Sequence, residues 1–174
     1  MPRYHCEAIY PGDRNDAAQG LRPHAMTLYW EDFKVGETVE MGGHTFTEAE
    51  IIEFAKQFDP QPFHIDPAAA KASVFGGLIA SGWHTCAVCM RLNCDSYINR
   101  SVSLGSPGLD NIRWQKPVRP GDTITYRRTV LESRASQSRP GVGLLRSRTE
   151  ALNQHGEVVM SMEGWGMFGS RPAA

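Results

Sequence analysis

Phe58-Asp59-Pro60-Gln61-Pro62-Phe63-His64-Ile65-Asp66 and, after a short gap, Phe75-Gly76-Gly77-Leu78-Ile79-Ala80-Ser81-Gly82-Trp83-His84-Thr85 together organise this chain. The first run sets an acid and an imidazole five residues apart around two prolines. Each proline locks its own φ and pushes the preceding residue into extended backbone, so the loop is expected to be non-helical and to lose little entropy on ordering. Such a loop can aim Asp59 and His64 at one water molecule, the arrangement that hydration or dehydration requires. Taken alone, the pair also reads as a surface turn with Asp59 as a cap and His64 solvated. Asp66-Pro67 reads as an N-cap followed by proline at the first helical position, opening a short Ala-rich turn over Ala68 to Ala72. The second run leads into a long apolar helix reaching about Tyr97. Gly82 at its mouth would leave backbone N–H groups free to meet developing negative charge. On its own, the glycine cluster reads as a tight turn that permits close packing.

Outward from this centre, Thr38 to Phe46 reads as a strand broken by a turn or bulge at Gly42-Gly43. Thr47-Glu48-Ala49-Glu50 reads as a capping box, and Ile51, Ile52, Phe54, Ala55 and Phe58 form the apolar face of the helix behind it. That helix delivers Asp59 at its C-terminal end, where the negative end of the dipole is expected to raise the carboxyl's proton affinity. Beyond the central helix the period changes to two, with strands expected at about Gly108 to Gln115, Thr123 to Arg134, Val142 to Asn153 and Val158 to Gly169. Lys116-Pro117-Val118-Arg119-Pro120-Gly121-Asp122 is a corner between two of them, and Asn153 to Glu157 is a hairpin loop in which His155 is solvated. Long antiparallel strands around one apolar helix make an α+β domain in two layers.

The run Asp59 to Asp66, with Gly82 eighteen positions after His64, resembles the MaoC-like dehydratases and (R)-specific enoyl-CoA hydratases of the hot-dog fold, including nodulation-protein-N-like members. The family pattern is Asp-x-Asn-Pro-(apolar)-His-x-Asp, and this chain departs from it at Gln61. The resemblance extends over roughly Tyr29 to Phe168 and includes the Pro-Val-x-Pro-Gly-Asp corner. It implies a single hot-dog domain with an antiparallel sheet wrapped around a long central helix. It implies reversible addition of water to a 2-enoyl thioester, giving an (R)-3-hydroxyacyl thioester. Asp59 and His64 would activate water, and Gly82 would supply the oxyanion N–H. Gln61, Phe63, Ser81, Trp83 and His84 are the candidate substrate contacts. Well-studied hydratases often carry His where this chain has Ser81, and can carry Ser where it has Met90. A homodimer or higher homo-oligomer is implied, as is coenzyme A carried as part of the substrate, with no metal or redox cofactor. Arg113, Lys116, Arg119 and Arg128 are candidates for its phosphates. A hot-dog thioesterase and a non-catalytic acyl-CoA binder are the alternatives.

At 174 residues the chain is one ordinary domain, and a formal charge of −1 without a basic run argues against nucleic-acid binding. No stretch approaches the ~20 apolar residues of a bilayer span. Residues 1–25 have no apolar signal core and read as a loose extension before a domain over 26–174, with Met26 a candidate start and the cytoplasm the expected compartment. Cys86, Cys89 and Cys94 share one helix, which suits buried free thiols better than a metal site, and Cys6 lies in the extension. His5, His24 and His44 carry no partner motif.

Overall fold

The computed structural model describes residues 27–172. The expected extension over 1–25, with His5, Cys6 and His24, lies outside the described residues, as does Met26.

Five antiparallel strands form one sheet: β1 (Thr38–Thr45), β2 (Gly108–Trp114), β3 (Thr123–Ala135), β4 (Val142–Leu152) and β5 (Val158–Gly169), in the order β1-β3-β4-β5-β2. Helix α1 (Glu48–Phe58) follows β1, and two short helices follow it, α2 (Pro62–Ile65) and α3 (Pro67–Ala72). The central helix α4 (Gly82–Ser96) lies against the inner face of the sheet, where Tyr126 Oη donates to the Thr85 carbonyl. This is the α+β hot-dog arrangement expected from the sequence. The Gly42-Gly43 expectation resolves as a bulge, with the β1–β3 register shifting between Glu40 and Gly42.

Period-two burial sets the inner row of β3 as Ile124, Tyr126, Arg128 and Val130, all buried. The main core joins Phe46, Ile51, Val88, Cys89, Ile124, Tyr126 and Met160, and a second cluster joins Phe33, Val130, Leu145 and Phe168. At the second cluster Trp30 lies so close to the sheet that a Cβ on Gly143 would stand 1.9 Å from the indole, so glycine is required there.

Two local readings need correction. The proline loop is not free of helix: Pro62 opens α2, because a proline at the first helical position loses no intrahelical bond. The capping box is half made. Thr47 accepts the Glu50 N–H, whereas the Glu50 carboxylate turns to His44, which therefore has a partner after all.

Candidate active site

Asp59 is the C-cap of α1, held by its N–H to the Ala55 carbonyl at 2.9 Å. Gln61 is extended, as the residue before Pro62 must be, and α2 then turns His64 back towards Asp59. The Asp59 Oδ2 to His64 Nε2 distance is 3.4 Å. The stiff loop therefore brings the two expected groups together.

Each member of the pair is fixed by a second contact. His64 is buried, and its Nδ1 lies 2.8 Å from the Ile79 carbonyl oxygen. A carbonyl only accepts, so Nδ1 carries a proton and Nε2 is the ring nitrogen turned towards Asp59. Ile79 is itself placed by its N–H to the Phe63 carbonyl and by the neighbouring Ala80 N–H to Val118. Asp59 accepts from Ser81 Oγ at 2.6 Å and from Gln61 Nε2 at 2.8 Å. Burial acts to raise the Asp59 pKa, but the Ser81 and Gln61 hydrogen bonds and the positive charge of a protonated His64 outweigh it and hold the carboxyl below its usual range. The expected upward shift from the end of α1 is thus overturned by direct donors. With the ring in its neutral form, Nε2 and the carboxylate both accept, and a water lying across the pair can donate to them while its lone pairs face outward.

Ser81 and Gln61, expected as substrate contacts, are placed against Asp59. Ser81 is fully buried, and its hydroxyl also accepts the Trp83 N–H as the N-cap of α4. Gly82 opens α4, so its N–H has no acceptor within the helix. The space a side chain would fill there is taken by Trp114. A Cβ would stand 2.5 Å from the indole, whose Nε1 donates to the Gly82 carbonyl at 3.1 Å. Sequence reading missed Trp114, because nothing local marks a contact spanning 32 residues between β2 and α4. Trp83 is 57% exposed and meets Trp114 edge-on, while Phe63 packs against His64 and Phe75. His84 points to the other side of α4, stacked 4.5 Å over Phe54 and edge-on to Phe46. Burial pushes its pKa down to about 4 against the pull of Glu50, with His44 adding to the fall.

The cationic candidates for coenzyme A phosphates have other engagements. Lys116 pairs with Glu157, and Arg119 donates to the Phe75 carbonyl, bracing the loop over the site. Arg128 is in the interior. Arg113 is exposed. Among the described residues no group of three or more His, Cys, Asp or Glu side chains could hold a metal ion. Cys86, Cys89 and Cys94 are free thiols, and burial raises the pKa of Cys86 and lifts that of Cys89 to about 12. Neither is an activated nucleophile. No helix among the described residues is long and apolar enough to cross a membrane.

A family profile described as the MaoC like domain matches residues 32–150. The crystal structure of a MaoC-like dehydratase from Rhodospirillum rubrum superposes with a TM-score of 0.77 at 40% identity, covering 84% of this chain and 99% of that one. Protein MaoC of Klebsiella aerogenes is 32% identical over 109 residues, 62% of this chain and 32% of its own length. The 3-hydroxyacyl-thioester dehydratase Z of Mycobacterium tuberculosis is 37% identical over 82 residues, 46% of this chain and 54% of its own length. The chain thus spans between a third and about half of these two curated relatives.

Proposed function

The chain belongs to the MaoC-like domain family, and from that premise we propose that it adds water reversibly to a 2-enoyl thioester, giving an (R)-3-hydroxyacyl thioester. The observation that carries this reading is the Asp59–His64 pair at 3.4 Å, with the imidazole proton committed to Ile79. Water held between the carboxylate and the bare Nε2 attacks C3 of the enoyl group. The pair takes one proton from that water as its oxygen bonds C3, and returns that proton to C2 from the same face, which completes a syn addition and restores the pair. The thioester oxygen gathers charge as C3 is attacked, and the Gly82 N–H at the start of α4 is the donor placed to meet it. Ser81 and Gln61 position Asp59 and keep it ionised.

Coenzyme A is the carrier we expect, with Arg113 the remaining candidate for its phosphates. We expect a homodimer as well. β2 is an outer strand, and Leu109, Trp114, Trp83 and Met90 leave a large apolar area exposed on and beside it.

Loss of the enoyl-thioester chromophore with crotonyl-CoA and longer or branched enoyl-CoAs tests the reading. Activity should fall with Asp59→Asn and His64→Ala while the fold persists. Release of free thiol without hydration would instead identify a thioesterase, and tight binding without turnover a carrier.

A further inference from the structure

The inner face of the sheet is hollowed opposite the middle of α4. Met162 and the inward glycines Gly164 and Gly166 of β5 stand across from Thr149, Ser147 and Leu145 of β4, with Thr149 in register with Arg128 of β3. On the helix side the same space is lined by Cys86, Met90, Asn93 and Tyr97, spaced to share one face. The resulting cavity is about 320 Å³, within the size range of ligand pockets. It begins one turn beyond Gly82 and follows α4 to its C-terminal end.

The cavity holds a buried cation. Arg128 is only 5% exposed, it sits between Tyr126 and Val130 in an otherwise apolar row, and its Nε has no hydrogen-bond partner. Its guanidinium lies 4.1 Å from the Tyr97 ring and 5.1 Å from the Phe33 ring. Burial acts against its charge, a hydrogen bond to Tyr97 and the charges of Tyr97 and Glu37 favour it, and among the described residues no carboxylate forms an ion pair with it; Glu163 in the cavity wall is held by Arg146 and Arg148. Asp32, which shares a smaller cavity with Arg128, is bound to Arg171. Asn93 in the same wall donates weakly to the Cys89 sulfur and has a buried Oδ1 without a donor. A guanidinium is a planar fork that matches a carboxylate, and burying it with a tyrosine and ring faces but no carboxylate is costly.

We propose that this cavity receives an acyl chain ending in a carboxylate at the end remote from the thioester, gripped by Arg128 with Asn93 beside it. The inference rests on the acyl-thioester reading above and narrows it to ω-carboxyacyl thioesters. The apolar stretch from Cys86 to Met90 covers the methylenes, and the cation answers the terminal charge.

Binding of saturated esters, which cannot be hydrated, tests this without turnover. Titration calorimetry would compare adipyl-, suberyl- and sebacyl-CoA with hexanoyl-, octanoyl- and decanoyl-CoA on the whole protein. We expect at least one carboxylated ester to bind about tenfold tighter or more than its plain partner, a difference of roughly 1.4 kcal/mol. Arg128→Gln should erase that preference and leave the plain esters within about twofold. If Arg128→Gln does not fold, Arg128→Lys, which keeps the charge but loses the fork, should reduce the preference. Plain esters binding as tightly as carboxylated ones in the wild type would overturn the proposal. So would a preference that survives the loss of Arg128. Binding of no CoA ester at all would overturn the acyl-thioester reading together with it. A carboxylate preference without hydration of any enoyl ester would sink only the hydratase reading.

Discussion

Two carboxylate–histidine groupings stand on either side of the start of α4, and they differ in what surrounds them. In one, Asp59 faces His64, and each holds a further polar partner: Ser81 and Gln61 favour the ionised acid, and the Ile79 carbonyl fixes which imidazole nitrogen faces it. In the other, Glu50 bonds His44 and stands 3.9 Å from His84, whose Nδ1 is buried with no partner between Phe46 and Phe54. The first keeps a charged acid beside the Nε2 of an oriented imidazole. The second removes charge from its inner histidine by burial. Proximity of an acid and an imidazole is therefore a weak sign of chemistry. Partners that dictate where the protons sit are a much stronger one.

The comparison breaks most readily at its catalytic half. Asp59→Asn and His64→Ala should each lower kcat/KM for enoyl-thioester hydration by about 10²–10⁴, the usual cost of losing an acid/base group. Circular dichroism should remain that of the wild type. Glu50→Gln, measured beside them, should change kcat/KM by less than about threefold, and a loss matching that of Asp59→Asn would move the chemistry to the other cluster.

Ser81→Ala is the sharper probe, with an intermediate effect of about tenfold on kcat. The Ser81 hydroxyl favours the ionised carboxylate, so its removal should raise the Asp59 pKa and shift the acid limb of the pH–rate profile upward. An unchanged limb at reduced rate would make Ser81 merely structural.

His84 carries the smallest expected effect, and it falls on stability. Its folded pKa of about 4 lies below the ordinary histidine value, so the unfolded chain binds more protons between the two. Stability from this group is complete above about pH 6.5 and is lost as pH falls through the window towards 4. The cost is of order 1–2 kcal/mol at pH 5. Thermal melts at pH 7 and pH 5 should show a gap in the wild type that narrows in His84→Leu. Glu50 and His44, which face His84, remain in both proteins and serve as the internal control.

The residues legible in sequence were those whose constraint is local. Pro60 and Pro62 stiffen the segment that brings Asp59 and His64 together, and Asp66-Pro67 and Thr47 announce their helices through capping chemistry. The strands were legible to within a residue or so, because a half-buried sheet writes a period of two into the side chains. What stayed hidden depends on pairing across the fold. Ser81 and Asp59 are 22 residues apart, and the type of neither says that they bond. Arg128 read as a candidate for coenzyme A phosphates until the phase of β3 put it in the inner row. His44 appeared partnerless because the bend that brings it to Glu50 belongs to the junction of β1 with α1.

The Ser81 hydroxyl receives the Trp83 N–H while it donates to Asp59, so one oxygen both starts the central helix and charges the acid. Heat tolerance and turnover therefore share an atom. Agitation that frays the first turn of α4 disarms Asp59 at the same moment, and the protein should stop working slightly before it visibly melts.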